Sequence, residues 1–370
     1  WSVTNLCRTA PPICATWPSP PCHTSHFPRL RDLERDAYFP TVVGGCCHPT
    51  PEHWQHKRSF TSRNEVDSGG PCSDGGVGIT APLDRARSSI GNALFTKVAG
   101  ENGLDSRRRI YDTPGPRWFA PDSPIQRVHG DSSMFVGGLR ALLLQSLHPL
   151  AMAGVAGHSG YRGDPWGRLE RTSTFLAVTT FGTAEHAQQT IDVIRAVHER
   201  VRGKAPDGRP YRASDPHLLT WVHIAEIDSF LRSHQRYGKE PLTLAEADEY
   251  VAQAARVARA LGAERVPTTT AELTTALNSY RGELAASEAA IDTAHFLLRE
   301  PPLPCGSRQG YRLVAAGAVA LMPAWTRPVL DLPSTRNDGV RRVAGSWATH
   351  TIRWGLAAVG KSEEDSSQVD

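Results

Sequence analysis

The stretch TAEHAQQTIDVIRAVHERVR, Thr183–Arg202, decides the fold class. Ala187, Ile191, Ile194, His198 and Val201 recur at i, i+4, i+7, i+11 and i+14, so they line one face of a helix. Glu185, Gln188, Asp192, Arg195, Glu199 and Arg202 take the other side. An imidazole therefore stands where a core residue is expected. A buried polar group left unpaired costs about 1–3 kcal/mol, so His198 must meet a carbonyl, a carboxylate or a metal. The first two make it a satisfied core residue and the third makes it a cofactor ligand. Periodicity alone leaves both open.

The same helical period extends in both directions from this segment. Met134–Ala156 is rich in Leu and Ala and reads as a central buried helix, bent or interrupted at Pro149. Ser173–Phe181 reads as a short apolar helix, and Gly203–Gly208 as a loop. Asp215-Pro216 opens a helix that runs to about Tyr237 and stops at Gly238. Thr243-Leu-Ala-Glu246 and Thr269-Thr-Ala-Glu272 are capping boxes, the first opening a helix that ends at Gly262. Glu283–Arg299, Leu313–Leu321 and Val340–Val359 complete the set, with Ala81–Val98 ahead of a segment broken by Pro114, Pro116, Pro121 and Pro124. No strand alternation stands out. The expectation is an all-α protein with one helix-on-helix core.

Residues 1–75 read differently: Pro, Ser, Cys and His are crowded there without amphipathic period, and six of the seven cysteines (Cys7, Cys14, Cys22, Cys46, Cys47, Cys72) lie in them. A zinc site at Cys46, Cys47, His48, His53 and His56 has the ligand types but no standard spacing. The expectation is a disordered or non-native leader. The helical domain is expected at 81–333, followed by a C-terminal helix and polar tail at 334–370. A net charge of +3, with no long Lys/Arg run, argues against a nucleic-acid partner. No stretch of about 18 apolar residues is present, so no membrane-spanning helix is expected.

Phosphate loops, nucleophile elbows and H-E-x-x-H motifs are missing from the sequence. What stands out is a set of histidines and arginines on apolar helices. His148 lies in LLLQSLHPLAMAGV. Arg168, Arg171 and Thr172 share a helical face in RLERT, either as an ordinary charged turn paired with Glu170 or Asp164 or as a cationic wall for bound oxygen. His223 and Glu226 form an H-x-x-E pair on a stripe with Leu219 and Phe230. Such a pair orients an imidazole or shares a metal. Asp228, Glu283 and Glu288 are further acidic candidates.

GGLRALLLQSLHPLAMAGVAGHS (Gly137–Ser159), RLERTSTFLAVTTFG (Arg168–Gly182), VHERVRG (Val197–Gly203), DPHLLTWVH (Asp215–His223) and RGELAASEAA followed by HFLLREPPLP (Arg281–Pro304) resemble the DUF2236 family, the MpaB/rubber-oxygenase family that includes latex-clearing enzymes. The resemblance spans about Ala81 to Pro333 and keeps the family's motif order. It implies a globin-like or related helical core holding haem b. It puts the proximal iron ligand on His198, the distal groups on Arg168, Arg171 and Thr172, and His148 and His223 on the cofactor side. Arg171 stands where relatives carry Lys, and a guanidinium does not ligate iron at ordinary pH. The resemblance further implies dioxygen and an apolar, unsaturated, isoprenoid- or lipid-like substrate, with oxidative cleavage of a carbon–carbon double bond; the altered distal set argues against rubber itself. The expected location is the cytoplasm, with peripheral membrane association open. Two other readings stay in view: a non-haem metal enzyme using His223 and Glu226, and a non-catalytic helical lipid-binding protein.

Overall fold

A computed structural model describes residues 81–367, other than 101 and 159–162. The leader and zinc readings of residues 1–75 lie outside the described residues. Within the described residues the protein is all-α. In chain order the helices are α1 (Ala81–Ala99), α2 (Gly103–Tyr111), α3 (Pro124–His129), α4 (Met134–Gln145), α5 (Pro149–His158), α6 (Pro165–Phe181) and α7 (Ala184–Arg200). There follow α8 (Pro216–Tyr237), α9 (Leu244–Leu261), α10 (Thr270–Ser279), α11 (Glu288–Arg299), α12 (Cys305–Leu321), α13 (Thr326–Val329) and α14 (Asp338–Ser367). Between α7 and α8 a small antiparallel hairpin pairs Arg202–Lys204 (β1) with Pro210–Arg212 (β2), where the sequence led us to expect only a loop.

Local chemistry sets most helix ends. Asp164 caps α6 by accepting from the Gly167 N–H at 2.9 Å, with Pro165 at the first helical position. The RLERT residues therefore lie inside one long helix with the apolar run, not ahead of it. Asp215 caps α8 in the same way through the His217 N–H. Thr243 and Glu246 form the full reciprocal capping box at α9, which stops at Gly262 with φ of 105°. At α10, Thr269 accepts from the Glu272 N–H, but the Glu272 carboxylate reaches back to the N–H and hydroxyl of Thr268. The helix expected from Glu283 begins only at Glu288, because Ser287 supplies the cap and Tyr280–Gly282 forms a 3-10 turn.

The centre of the fold is the pairing of α4 with α8, flanked by α9 and α10 on one side and by α12 and α14 on the other. Trp221, Tyr250, Leu143, Leu144, Leu147 and Ile224 are fully enclosed in the main cluster. A second cluster joins Val136, Leu139 and Tyr237 to Ala315, Ala318, Ala348 and Ile352. There α12 and α14 cross closely: a Cβ on Gly317 would lie 2.8 Å from the Gly345 Cα, so the crossing needs glycine on both helices.

The chain bends by 106° between α4 and α5. Pro149 has no N–H for the Gln145 carbonyl, so the helix cannot continue. That carbonyl is taken instead by the Trp221 indole N–H at 3.1 Å, and the Leu147 carbonyl accepts from the Ala285 N–H at 2.9 Å. The break is thus tied to α8 and to the segment before α11. His148 is the residue at the corner. Among the described residues no single helix is long and apolar enough to cross a membrane; the bent α4–α5 pair passes that test by length and composition alone.

Candidate functional site

His198 occupies the last turn of α7, below the fully buried Ala187 and Ile191. Its Nδ1 is enclosed and has no hydrogen-bond partner among the described residues. Burial holds its pKa below the ordinary histidine value, against a smaller opposing pull from Glu199, so the ring is neutral. Two contacts place this end of α7. The Arg195 guanidinium donates to the Ala260 carbonyl at the end of α9, and the Val201 N–H returns to the His198 carbonyl as the hairpin begins.

His223 faces the same end of α9. Burial, reinforced by the Arg259 charge, pushes its pKa down to about 3, and its Nε2 is enclosed without a partner. Leu219, one turn earlier on the stripe, packs on Ala255, Ala258, Ala263 and Val266. Glu226, one turn later, has its pKa pushed up to about 7 by burial alone. By surface area His198, His223 and Glu226 are only half-buried, yet all three are strongly desolvated. Ala151 and Val155 of α5, Leu176 of α6, Val222 of α8 and Val257 of α9 are also partly buried, packed on the main cluster.

The stripe continues into polar residues that sequence reasoning missed. His129 of α3 sits 2.8 Å from the Thr180 hydroxyl through Nδ1 and 3.4 Å from the Tyr250 hydroxyl through Nε2. Burial, then the nearby His234, pushes the His129 pKa to about 3. The sequence signal was weak, because PIQRVH is too short to show a period.

The three expected distal residues behave differently from one another. Arg168 is desolvated, and burial followed by the Arg171 charge lowers its pKa. Arg171 pairs with Asp164 at 3.4 Å near the surface, which is the ordinary-charged-turn reading. Thr172 is exposed and donates its hydroxyl to the Arg168 carbonyl at 2.9 Å.

His148 has other neighbours. It is 2% exposed, and neither ring nitrogen makes a hydrogen bond. Its ring packs near His217, Trp221 and Tyr280, with centroids 6.2, 6.2 and 6.3 Å away. Its Nε2 lies 3.5 Å from Glu283 Oε2, which is also 2.8 Å from His217 Nε2. His217 carried no sequence signal of its own: its carboxylate partner is 66 residues away.

A separate cavity of about 240 Å³ is lined by Arg140, Trp221, Asp228, Arg232, Arg281 and Trp325 among others, with the Arg281 guanidinium 4.0 Å from the Trp325 ring centroid. Its deepest charges, Arg140 and Asp228, are paired with each other at 2.7 Å.

Two mycobacterial proteins are similar to part of the chain: the uncharacterized protein Mb2261 of Mycobacterium bovis and the uncharacterized protein Rv2237 of Mycobacterium tuberculosis. Each is 34% identical over 98 residues, which is 26% of this chain and 38% of the relative. The chain thus spans well under half the length of these curated relatives. No solved structure matches it. Residues 126–354, more than half of the 370, match one family along most of the helical body. That span contains His198, His223, Glu226 and the bend at Pro149, and on this match the chain belongs to the family described as ER-bound oxygenase mpaB/B'/rubber oxygenase, catalytic domain.

Proposed function

We propose that this protein is a haem b-dependent oxygenase that uses dioxygen on an apolar, unsaturated, isoprenoid- or lipid-like substrate, with His198 as the iron ligand. The observation that carries the reading is the His198 ring: neutral, on an apolar helix face, with an enclosed nitrogen that no described residue satisfies. A ligating imidazole must be neutral and offer a lone pair. Coordination would also remove a cost of about 1–3 kcal/mol that an orphaned buried nitrogen imposes. The residues present therefore fit the group that the family resemblance implies.

When bound, haem would supply the redox chemistry with dioxygen. The protein's own part follows from its side chains. The half-buried Val155, Leu176, Val222 and Val257 exclude water and favour an apolar substrate. Arg168 contributes a desolvated positive charge with N–H donors for substrate or cofactor oxygens. Glu226, whose carboxyl titrates near pH 7, can hold or release a proton inside the same apolar region. Thr172 and Arg171 are expected beside Arg168, and Arg171, being a guanidinium, would not ligate the iron. His223, near Arg259 of α9, is assigned to the cofactor side. We place the enzyme in the cytoplasm, with peripheral membrane contact as the means of meeting a substrate that partitions into lipid.

The test is the absorption spectrum of protein produced with haem supply. A Soret band at one haem per chain, lost in His198→Ala while the helical circular dichroism is kept, is the expected result. Absence of the band, or its persistence unchanged in His198→Ala, overturns the assignment. The orphaned Nε2 of His223 beside Glu226 favours a second reading, a non-haem metal centre. It requires stoichiometric metal without a Soret band, lost in His223→Ala. Substrate-dependent oxygen uptake separates both from a non-catalytic lipid carrier.

A further inference from the structure

The bend at Pro149 creates a second constellation, around His148, that iron ligation by His198 does not use. Ser146–His148 turn out of α4, the Ala285 N–H holds the Leu147 carbonyl at 2.9 Å, and the Glu283 N–H donates to the Tyr280 carbonyl at 2.8 Å. Those bonds bring Glu283 against His148. From the other side, the Asp215 cap fixes the first turn of α8 and with it His217. One ligand atom each from His148, His217 and Glu283 then lies within 4.8 Å of the others.

The hydrogen bonds around His217 decide what this cluster lacks. The Tyr280 hydroxyl donates to the His217 carbonyl at 2.9 Å and lies 3.2 Å from Nδ1 of the same ring, which stacks on Tyr280 at 4.5 Å. Tyr280 has one proton to give, so its contact with Nδ1 is served by an Nδ1–H donor. Nε2 faces the Glu283 carboxylate at 2.8 Å, a position bridged either by a hydrogen or by a metal ion. His148 adds a third donor with the same character: a 2% exposed ring, neither nitrogen hydrogen-bonded, Nε2 directed at the same carboxylate oxygen.

We propose that His148, His217 and Glu283 bind a divalent first-row transition metal of the zinc class, with the remaining coordination positions open to water. Two imidazoles and one carboxylate are an established donor set for such ions. Metal–N and metal–O bonds of about 2.0–2.2 Å put tetrahedral ligand atoms roughly 3.3 Å apart. The 3.5 Å separation of His148 Nε2 from Glu283 Oε2 is close to that spacing. The 2.8 Å contact of His217 has to open by about half an ångström, and Glu283, 45% exposed, has room to withdraw. The exposure of His217 and Glu283 gives the ion an entry path. Tyr280 and the Asp215 cap supply the outer contacts that orient a ligating ring. Among the charges nearby, Arg209 opposes a cation, but its guanidinium is already engaged by Asp207 at 2.7 Å.

The measurement is zinc uptake at equilibrium dialysis by full-length protein, against His217→Ala and Glu283→Gln. Both changed side chains are substantially exposed, and folding is checked by circular dichroism. Cysteine thiolates ligate zinc by themselves, so all proteins carry Cys→Ser at the seven cysteine positions. One zinc per chain is expected, with affinity at least about 100-fold weaker in His217→Ala and about 10- to 100-fold weaker in Glu283→Gln. No zinc bound by the protein that keeps His217 and Glu283, or equal binding by all three proteins, overturns the proposal and leaves the cluster as a His217–Glu283 hydrogen bond. His198→Ala separates this site from the haem reading: it should lose haem and keep its zinc.

Discussion

Helix α8 carries two carboxyls two residues apart, and they are treated in opposite ways. Asp228 meets the Arg140 guanidinium at 2.7 Å and the Arg232 guanidinium at 2.7 Å. Arg140 is itself fully enclosed and spends its remaining N–H groups on the Ser229 hydroxyl and the Leu321 carbonyl. Glu226, on the other face with His223, bonds to no described residue and is pushed toward its neutral form by burial alone. A buried charge that finds all its partners within the protein is part of the scaffold. On the proposed reading, a stripe whose enclosed nitrogens at His198 and His223 have no partner among the described residues, beside the desolvated Glu226, is where the cofactor would be held.

The largest expected effect breaks the scaffold side of this comparison. Asp228→Ala strands Arg140 in the interior, and removing one partner of a buried pair costs about 3–5 kcal/mol. Urea denaturation should show that loss, while haem bound per folded molecule stays unchanged. Replacing both partners, Arg140→Met with Asp228→Leu, should recover most of it, since a well-packed apolar pair is often as stable as a buried ion pair. Haem loss in the single variant at urea concentrations where the fold is intact would merge the two regions into one.

Glu226 gives the next effect, and its sign is opposite to that of a salt-bridged acid. Its folded pKa of about 7 lies above the ordinary 4.5. Below about pH 4.5 both folded and unfolded chains hold the proton, and the group costs nothing. As pH rises toward 7 the unfolded chain ionises first, so the folded state loses stability, reaching roughly 3 kcal/mol at neutral pH and above. Glu226→Gln should therefore stabilise the haem-free protein by about that amount at pH 8 and hardly at all at pH 4. Equal effects at the two pH values would mean that Glu226 has a partner in solution. His223 works in the other direction: with a folded value of about 3, its contribution is present above its ordinary 6.5 and is lost as pH falls toward 3.

The two sides also differ in how far the sequence revealed them. The stripe of His223 and Glu226 and the face of His198 follow from helical period, because each lies within one helix whose caps, Thr183, Asp215 and Gly238, are local chemistry. The bend at Pro149 is equally local. The Arg140–Asp228 pair and the His148–His217–Glu283 cluster join residues 66 to 135 apart in the chain. Their existence depends on which helices pack and at what rotation, which no periodicity encodes. The Ser173 start expected for α6 failed for a related reason: RLERT is charged, and polarity was read as a boundary, whereas the Asp164 cap lies nine residues earlier.

Arg171 carries the smallest expected effect and the sharpest question about the distal face. Its guanidinium reaches Asp164 at 3.4 Å, with side chains 38% and 61% exposed. Exposed pairs of this kind contribute about 0–1 kcal/mol, so Arg171→Ala should move stability by no more than about 0.5 kcal/mol. Asp164→Ala should cost about 1 kcal/mol, because that carboxylate also caps α6. The asymmetry between the two partners separates cap from ion pair. It also calibrates activity: if Arg171→Ala lowers substrate-dependent oxygen uptake without the stability change seen for Asp164→Ala, Arg171 leaves its surface partner during turnover and joins Arg168 at the substrate. If uptake is unchanged, the cationic wall reduces to Arg168, whose desolvation already sets it apart from its neighbour.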